Sequence, residues 1–327
     1  MKNKLKSFFV LIFAVLLCFG GMATLSACKT EDDEKIDIVC TIFPIYDWAK
    51  EIVGENNKNV NLKLLIDNGT DMHSYEPTFA DIASISTADV FIYVGGESDE
   101  KLENALLNAT NKNMVVINLL DVLGDKAKEE EIKEGMEGEE DHDHEDEHEE
   151  EIEYDEHVWL SLKNAKIFVN EFAKTFADID ADNKQQYLSN ATDYISNLNQ
   201  LDDEYTTALS TANTKTLLFA DRFPFRYLVD DYDLNYYAAF IGCSAETEAK
   251  FETITFLANK IDELNLKAIL KIETSDNSLA NTVKNATISK DQTILTLDSL
   301  QNTTTKSKKT YLSVMTNNLE ILKQATH

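Results

Sequence analysis

The sequence predicts an α/β protein of two lobes with mostly parallel sheets, joined by a long helical segment. Short apolar segments rich in Val, Ile and aromatic residues alternate with amphipathic segments along most of the chain. Apolar runs of this length are typical of strands buried on both faces, and their alternation with helices is typical of parallel sheets. Four such strands precede a strongly acidic stretch and four follow it, so we expect one sheet in each half.

The predicted elements follow the order that this architecture requires. Strands are predicted at Ile36–Phe43, Val60–Ile66, Val90–Val94, Met114–Asn118, Thr216–Ala220, Tyr236–Ile241, Ala268–Ile272 and Thr293–Leu297. Helices are predicted at Tyr46–Val53, Phe79–Ser86, Leu102–Ala109, Thr247–Leu264 and Tyr311–Gln324. Strands that alternate with helical patterns in this way indicate βα units.

A long helical segment lies between the two sets of strands. Residues 162–176 are amphipathic, and residues 182–209 place apolar side chains at steps of three and four. A helix over 182–209 would be roughly 40 Å long at about 1.5 Å per residue. A helical hairpin in a single core is the alternative, but a rigid strut between two lobes accounts better for the position of this segment.

The N-terminus has the features of a lipoprotein signal peptide. Three lysines precede an apolar run over 8–19, which is too short to span a membrane as a mature helix. The sequence Leu-Ser-Ala-Cys at 25–28 resembles a bacterial lipobox, with cleavage before Cys28 and diacylation of its thiol. A plain secretory peptide with an incidental cysteine is the alternative. We expect the mature protein at the extracellular face of the membrane on a lipid anchor.

The composition is strongly acidic. The formal net charge is −29, and it becomes −32 without residues 1–27, which hold three lysines and no acids. Such a surface repels nucleic acid and anionic lipid headgroups and concentrates cations. Residues 125–156 contain nineteen acids, three lysines and few apolar residues. This segment cannot bury enough surface to fold alone, so we interpret it as a mobile insert.

Four of the six histidines lie in or directly after this insert. His142, His144 and His148 are interleaved with carboxylates, and His157 follows shortly after them. Imidazole favours zinc, copper and nickel over calcium. The combination therefore predicts the handling of a transition metal rather than a merely solvated acidic loop.

Further candidate ligands follow predicted strands. His73 comes seven residues after the second strand, Asp221 directly after the fifth and Asp298 directly after the eighth. Open parallel α/β sheets bind ligands outside the carboxyl ends of their strands. Imidazoles from His73 and His157, with one or two carboxylates, could satisfy a four-coordinate zinc ion. Each residue alone has a simpler explanation, as a hydrogen-bonded histidine or an aspartate that caps a helix.

Several motifs resemble those of the metal-specific solute-binding proteins of ABC importers, the zinc and manganese group with a rigid helical backbone. Residues 69–78 are similar to the first histidine motif of that group, and residues 155–160 are similar to the second. Residues 41–46 and 297–300 resemble its first strand and turn and its terminal aspartate motif. The histidine-rich acidic run resembles the mobile loop of zinc-specific members.

This resemblance extends over nearly the whole expected mature chain and implies a specific architecture. Two (β/α)₄ lobes with four-stranded sheets would be joined by one long helix, with one metal ion between the lobes held by His73, His157 and Asp298. Six consecutive segments are then expected: a signal peptide (1–27), a lipid-anchored tether (28–35), an N-terminal lobe (36–124), an acidic His-rich mobile loop (125–156), a helical stretch with the linking helix (157–213) and a C-terminal lobe (214–327).

One position departs from this family. Its third ligand is a His or Glu in a pattern like Phe-His-Asp-Ala-Phe-Gly-Tyr, whereas residues 219–227 read Phe-Ala-Asp-Arg-Phe-Pro-Phe-Arg-Tyr, with Ala220 at the ligand position. Asp221, water, a residue of the mobile loop and Cys243 are the alternatives. A carboxylate or water in place of imidazole would weaken the preference for softer metals, so Mn²⁺ is the alternative to Zn²⁺.

Arg222 lies beside this departure. Its positive charge would oppose a bound cation. We therefore expect its side chain to point away from the site or to pair with an acid such as Glu246 or Glu273.

Two cysteines remain besides Cys28 in the expected mature chain. Cys40 and Cys243 belong to strands whose ends, in the architecture that the resemblance implies, approach the cleft. A disulfide, which an extracellular protein could keep, two buried thiols and a thiolate ligand to zinc are the alternatives. Sequence spacing does not distinguish between these three alternatives.

The sequence therefore predicts a monomeric, lipid-anchored receptor that captures Zn²⁺ and delivers it to the permease and ATPase of an ABC importer. The acidic histidine segment would collect ions for the main site. A secreted zinc hydrolase is disfavoured because the sequence has no HExxH motif, no nucleophile elbow and no obvious general base. A surface adhesin or metal buffer would instead hold several weak sites within the insert.

Overall fold

The computed structural model describes residues 35–137, 153–244 and 248–327. These residues form the strands β1 Ile36–Cys40, β2 Val60–Leu64, β3 Val90–Tyr93, β4 Val115–Asn118, β5 Thr216–Phe223, β6 Asn235–Ile241, β7 Ala268–Ile272 and β8 Thr293–Leu297. Their α-helices are α1 Phe43–Val53, α2 Phe79–Thr87, α3 Glu100–Leu107, α4 Leu119–Leu123, α5 Leu162–Ile179, α6 Lys184–Ser210, α7 Arg226–Asp231, α8 Phe251–Leu264, α9 Ser278–Ala286 and α10 Tyr311–Thr326.

The strands form two four-stranded parallel sheets, which confirms the predicted fold class. The strand orders are β2-β1-β3-β4 and β6-β5-β7-β8, and every pair of neighbouring strands is parallel. The second order repeats the first when its strands are counted from β5, so the two lobes share one topology. Parallel neighbours need crossover connections, which the intervening helices supply.

Four strands end elsewhere than the sequence predicts: β2 and β3 by one or two residues, and β1 and β5 by three. The apolar run that begins at Ile36 divides into β1 and α1 because Pro44 lies in the first turn of α1. Proline lacks an N–H group, and its fixed φ suits the start of a helix. In the second lobe, β5 continues past Ala220, with a register shift between Phe219 and Arg222. Residues 221 and 222 therefore belong to an irregular strand rather than to a loop.

Helix α6 connects the lobes, as predicted. It is 27 residues long and packs along α5, α1 and α10. The Asn190 side chain donates a hydrogen bond to the Ile52 carbonyl of α1 at 2.9 Å, and the Tyr205 hydroxyl donates to the Met315 carbonyl of α10 at 2.6 Å. Because α1 belongs to the first lobe and α10 to the second, α6 is anchored to both.

The two ends of the predicted acidic insert are bound to each other, and the first end is also bound to β6. The Asp155 N–H donates to the Lys128 carbonyl at 2.8 Å, and the Glu130 N–H donates to the Glu153 carbonyl at 3.0 Å. The Glu137 N–H donates to the Ala239 carbonyl of β6 at 2.8 Å. These contacts use backbone groups, which an acidic composition does not reveal. Acidic residues at both ends of the insert, among them Glu137 and Asp155, are thereby held at the folded protein.

Several predictions concern residues that the structure does not describe. The predicted signal peptide, the predicted lipidation site Cys28 and the histidines His142, His144 and His148 lie outside the described ranges. Residues Ile36–His327 form one compact unit that contains both sheets. Among the described helices, none has both the length and the apolar character needed to span a bilayer.

Candidate metal site

Three side chains with metal-binding atoms converge from the loop after β2, the turn after β6 and the segment before α5. One ligand atom each from His73, His157 and Cys243 lies within 4.8 Å of the other two. The Nε2 atoms of His73 and His157 face each other at 3.1 Å. The His157 side chain is fully buried, and the His73 side chain is only 8% exposed. Two nitrogens and one sulfur form a donor set that suits tetrahedral zinc and leaves one coordination position for a further ligand.

His73 is held by the loop that follows β2. Asp71 caps the 3₁₀ turn Met72–Ser74, and its carboxylate accepts a hydrogen bond from the His73 N–H at 3.1 Å. The His73 Nδ1 atom lies 2.7 Å from the Ser98 hydroxyl, beyond β3. It also lies 3.4 Å from a Glu156 carboxylate oxygen. These contacts hold Nδ1 and direct Nε2 toward His157.

His157 is fixed by the residue two positions before it. One Asp155 carboxylate oxygen lies 3.1 Å from the His157 Nδ1 atom and accepts the His157 backbone N–H at 2.9 Å. A carboxylate at Nδ1 favours the tautomer with its proton there, which leaves the lone pair on Nε2. In the buried turn that follows, the Trp159 indole donates to the Ser299 carbonyl at 2.9 Å. The second lobe thus holds the backbone next to His157.

Gln301, which follows β8, contacts the same imidazole. Its side-chain nitrogen lies 2.9 Å from the His157 Nε2 atom, so this amide donates a hydrogen bond to the lone pair that a metal would use. Its side-chain oxygen accepts from Arg222 at 3.3 Å. An ion that binds His157 must therefore displace the Gln301 amide. Sequence reasoning missed this residue because an uncharged amide in a loop carries no distinctive signal.

Cys243 reaches the histidines through a glycine turn after β6. A Cβ atom at Gly242 would lie 2.9 Å from the His157 ring carbon Cε1 and 3.0 Å from the Phe223 carbonyl. Glycine therefore lets this turn approach His157 closely. The Glu130 carboxylate lies close enough to Cys243 to raise the pKa of its thiol. One Glu130 oxygen is buried and has no hydrogen-bond partner among the described residues.

The pKa values of several groups around this cluster are shifted, chiefly by burial and then by neighbouring acids. Burial raises the pKa of Glu130 to about 7 and raises the pKa of Glu156. Burial, followed by the neighbouring carboxylates, raises the pKa of the Cys243 thiol. Burial lowers the pKa of His73 to about 3, so its imidazole is neutral at physiological pH. The neutral imidazole of His73 beside crowded acidic groups favours a divalent cation, whose charge would stabilise the ionised acids.

The positive charge of Arg222 is paired across the cleft. Its guanidinium contacts the Asp71 carboxylate from the first lobe. The sequence indicated Glu246 or Glu273 as the partner. Glu246 lies outside the described residues, whereas Glu273 accepts hydrogen bonds from the Ser299 N–H and hydroxyl at 2.7 and 2.9 Å. The pair with Asp71 joins residues 151 positions apart, a separation that local sequence patterns cannot bridge.

Asp221, one of the predicted ligands, faces its own lobe. One carboxylate oxygen accepts the Ile272 N–H at 2.9 Å. The other accepts the Arg222 N–H at 2.9 Å and the Ser275 hydroxyl at 3.0 Å. Ala220, at the ligand position of the family motif, packs into a hydrophobic cluster of the second lobe and borders a cavity of about 630 Å³. The structure therefore does not bring Asp221 into the cluster formed by the described histidines and Cys243.

Asp298 directly follows β8, as predicted, and also lies outside that cluster. One of its carboxylate oxygens pairs with the Lys309 ammonium at 2.5 Å, and the other accepts the Leu300 N–H at 2.9 Å. The Asn318 side chain bonds both the N–H and the carbonyl of Asp298. Asp298 stays a predicted ligand, and it would have to release Lys309 to bind an ion.

The two described cysteines are both free thiols, so the disulfide that the sequence left open is not formed. Cys40 is fully buried on β1 among core residues. Cys243 lies beside the histidine pair. The same residue type therefore has a packing role in one lobe and a place in the candidate site in the other.

Comparison with known proteins places the chain in a family. Residues 38–325 match the family described as "ZnuA: Zinc-uptake complex component A periplasmic". The chain is 33% identical over 304 residues to the zinc-binding lipoprotein AdcA of Streptococcus pneumoniae (strain ATCC BAA-255 / R6), a match that covers 92% of this chain and 58% of AdcA. It is 29% identical over 320 residues to the high-affinity zinc uptake system protein ZnuA of Bacillus subtilis (strain 168), with 96% of each chain covered.

The comparison with a solved structure indicates the same family. The fold matches the crystal structure of the Zn(II)-bound ZnuA-like domain of Streptococcus pneumoniae AdcA with a TM-score of 0.70 and 29% identity, over 89% of this chain and 99% of that domain. The chain spans about 58% of the length of full AdcA, so the comparison with that relative concerns part of its length. The family match nevertheless begins in β1 and ends in α10. The chain therefore belongs to the family of zinc-uptake complex component A.

Proposed function

We propose that this protein is the extracellular solute-binding protein of an ABC importer, which captures Zn²⁺ and delivers it to a membrane permease. The observation that carries the proposal is the convergence of the His73 and His157 Nε2 atoms at 3.1 Å. Related proteins are described as zinc-binding and zinc-uptake proteins, and one related domain is solved with Zn(II) bound.

Zinc is proposed over manganese because of the donor atoms. Imidazole suits zinc, copper, iron and nickel, whereas Mn²⁺ prefers carboxylate, carbonyl and water oxygens. Asp155 and Glu156 contact the outer nitrogens of the two imidazoles. These carboxylates orient the rings, raise their basicity and lower the energy of a divalent ion between them.

Capture and release follow from where the ligands are attached. His73 belongs to a loop of the first lobe, and Gln301 and Cys243 belong to loops of the second. We propose that movement of the lobes or of these loops at the permease separates the donor atoms and frees the ion. The loss of one strong donor is enough to weaken binding greatly.

We further propose that a lipid on Cys28 anchors the protein outside the cell membrane, where it serves a permease and its ATPase as a monomer. The support is the predicted lipobox at 25–28 and the description of AdcA as a lipoprotein. A lipid-anchored receptor stays close to its permease without a membrane-spanning helix of its own.

We propose binding and release without catalysis, since the family is a component of an uptake complex. Ester hydrolysis by the purified protein, if lost in His157→Ala, would instead support the metallohydrolase alternative. A generic chromogenic ester is a sufficient substrate for this measurement.

The decisive experiment is a competitive metal titration with elemental analysis, on the chain from Lys29 onward, which retains the whole compact unit Ile36–His327. His73→Ala and His157→Ala test the site. His327→Ala is the matched control, because His327 is exposed at the end of α10. We expect one tight Zn²⁺ per chain in the parent and control, and at least about 100-fold weaker binding in both site variants, since even loss of an outer partner costs about 10–100-fold.

Two results would contradict the proposal. Tight binding that survives both histidine substitutions would move the site elsewhere. A clear preference for Mn²⁺ over Zn²⁺ would leave the family assignment intact and replace the transported ion.

A further inference from the structure

The third protein ligand is the open question at this site. Ala220, at the position where the resemblance implies a His or Glu ligand, offers no ligand atom. Asp221 uses both carboxylate oxygens for hydrogen bonds within the second lobe. The position that the family motif assigns to a ligand therefore supplies none in this chain.

The structure places a different donor next to the histidines. Among the described His, Cys, Asp and Glu side chains, Cys243 is the one that joins His73 and His157 in a cluster whose ligand atoms all lie within 4.8 Å of one another. A zinc ion bonds imidazole nitrogen at about 2.0 Å and thiolate sulfur at about 2.3 Å. Donor atoms around one such ion are therefore roughly 3–4 Å apart, so only a small adjustment separates this cluster from a coordination shell.

We propose that the Cys243 sulfur is the third protein ligand, which makes this a His₂Cys site for thiophilic divalent ions such as Zn²⁺ and Cd²⁺. This inference rests on the proposed function and adds the ligand set and the class of ion to it. On binding, the Sγ–H bond is replaced by an Sγ–metal bond, and the thiol proton is released to solvent.

The surroundings of Cys243 support this assignment. Gly242 gives the turn its close approach to His157, since any Cβ there would lie 2.9 Å from the ring. Cys40, by contrast, is an ordinary core residue with 0% exposure.

A sulfur ligand changes the expected selectivity. Thiolate favours Zn²⁺ and other soft or borderline ions and gives little advantage to Mn²⁺, Mg²⁺ or Ca²⁺. The departure at Ala220 suggested a weaker preference for softer metals if carboxylate or water replaced imidazole. A thiolate has the opposite effect and strengthens discrimination against manganese.

The test uses Co²⁺ as a spectroscopic probe in the chain from Lys29 onward. Thiolate coordination to Co²⁺ gives a charge-transfer absorption in the near ultraviolet that nitrogen and oxygen ligands do not give. Three proteins are compared: the parent, Cys243→Ala, and Cys40→Ala as the matched control. We expect the absorption in the parent and control and its loss in Cys243→Ala. We also expect Zn²⁺ binding to weaken by at least about 100-fold in Cys243→Ala, with a smaller change for Mn²⁺.

The outcomes separate this inference from the proposed function. Absence of the charge-transfer band in the parent, or its persistence in Cys243→Ala, overturns the thiolate ligand, whereas the receptor proposal stands if one tight Zn²⁺ is still bound. If the parent binds no Zn²⁺ tightly, both fail. Circular dichroism and thermal melting of each variant exclude unfolding as the cause of a lost signal. Cys243→His then provides a gain-of-signal check, since an imidazole there should restore Zn²⁺ affinity without the sulfur band.

Discussion

Arg222 of the second lobe and Asp71 of the first form an ion pair in the cleft. Each side chain is only 13% exposed, and Asp71 also caps the turn that carries His73. Burial alone would raise the pKa of Asp71, but Arg222 and His73 lower it overall. One contact therefore joins the two lobes, neutralises a charge that would repel a metal and supports a candidate ligand.

Removal of this arginine should lower stability and strengthen metal binding. Arg222→Met leaves the Asp71 carboxylate largely buried without its partner, which costs about 3 kcal/mol of unfolding free energy by analogy with other broken buried pairs. The same change removes a positive charge from the site, so Zn²⁺ should bind more tightly. Chemical denaturation without metal and competitive zinc titration measure the two effects separately.

Two further variants control for this interpretation. Arg226→Met removes the pairs with Asp230 and Glu131, whose atoms are 3.5 and 3.4 Å apart and more exposed, so it should cost about 1 kcal/mol or less. The double variant Asp71→Asn with Arg222→Met should recover most of the stability lost by Arg222→Met alone. An equal loss in the single and double variants would show that the pair itself contributes nothing.

Asp99 should make the protein less stable as the pH rises. It is 2% exposed, and one carboxylate oxygen accepts the N–H groups of Val94 and Gly95, each at 3.0 Å. Burial raises the pKa of Asp99 from 3.8 to about 7. Because the folded protein holds this proton more tightly than the unfolded chain, the stabilisation is fully present below about pH 4 and is lost as the pH rises through about 7.

The variant Asp99→Asn isolates this effect, because its carbonyl oxygen can accept both N–H groups without titrating. Its unfolding free energy should fall less than that of the parent between about pH 4 and pH 7, and above that range the variant should be the more stable protein. Urea denaturation at several pH values measures the slope. Asp203→Asn, at an exposed position of α6, is the control. Parallel curves for Asp99→Asn and the parent would refute the raised pKa.

The sequence predicted the fold well because the fold depends on local patterns. β7 and β8 have the predicted boundaries, and α6 covers 184–210 where 182–209 was expected. The missed helices α4 and α7 have only five and six residues, too few turns for the helical period to stand out, and α9, with nine, was missed as well. The ends of β1 and β5 were harder to predict, because a proline and a register shift decide where these two strands end.

The site was only partly predictable. His73 and His157 could be chosen because each follows a strand or precedes a helix in a recognisable motif, and the structure brings them together. The approach of Cys243 depends on how β6 and the Gly242 turn sit beside the loop of His157. Contacts of that kind are set by tertiary packing, so a single sequence leaves several candidates for the third ligand.

Gly242→Ala should damage metal binding by moving one candidate ligand away from another. The added Cβ would lie 2.9 Å from His157 Cε1 and 3.1 Å from its Nδ1, so the Cys243 turn or the imidazole must shift. We expect Zn²⁺ affinity to fall by roughly 10-fold or more, as for other displaced partners of metal ligands. Titration of the folded variant, checked by circular dichroism, provides the measurement.

Gly124→Ala is the contrasting control. A Cβ there meets no described atom within 4 Å, but the residue has a φ of +50°, so the cost of roughly 1 kcal/mol should appear in stability rather than in binding. Unchanged zinc affinity in Gly242→Ala would show that the close approach of this turn is not needed for the site.

The acidic histidine segment should affect how fast zinc is captured more than how tightly it is held. Deletion of 138–150 removes His142, His144 and His148 and retains Glu137, whose N–H bonds to β6 and whose carboxylate accepts the Lys250 N–H at 2.7 Å. Stopped-flow association rates should fall or metal selectivity should relax, with equilibrium affinity at the main site preserved. Loss of all tight binding would make the segment itself the site.

Lys309 should compete with zinc for the Asp298 carboxylate if Asp298 is the terminal ligand that the family motif implies. Their 2.5 Å ion pair must open before a carboxylate oxygen can bind an ion. Lys309→Met should therefore tighten Zn²⁺ binding, and Asp298→Asn should weaken it by about 10-fold or more. Lys308→Met, also at an exposed position of this loop, is the control for a general loss of positive charge. If neither Asp298→Asn nor Lys309→Met changes zinc affinity in competitive titration, Asp298 only anchors its loop, through the Leu300 N–H and Asn318. The fourth coordination position of the metal then belongs to water or another group.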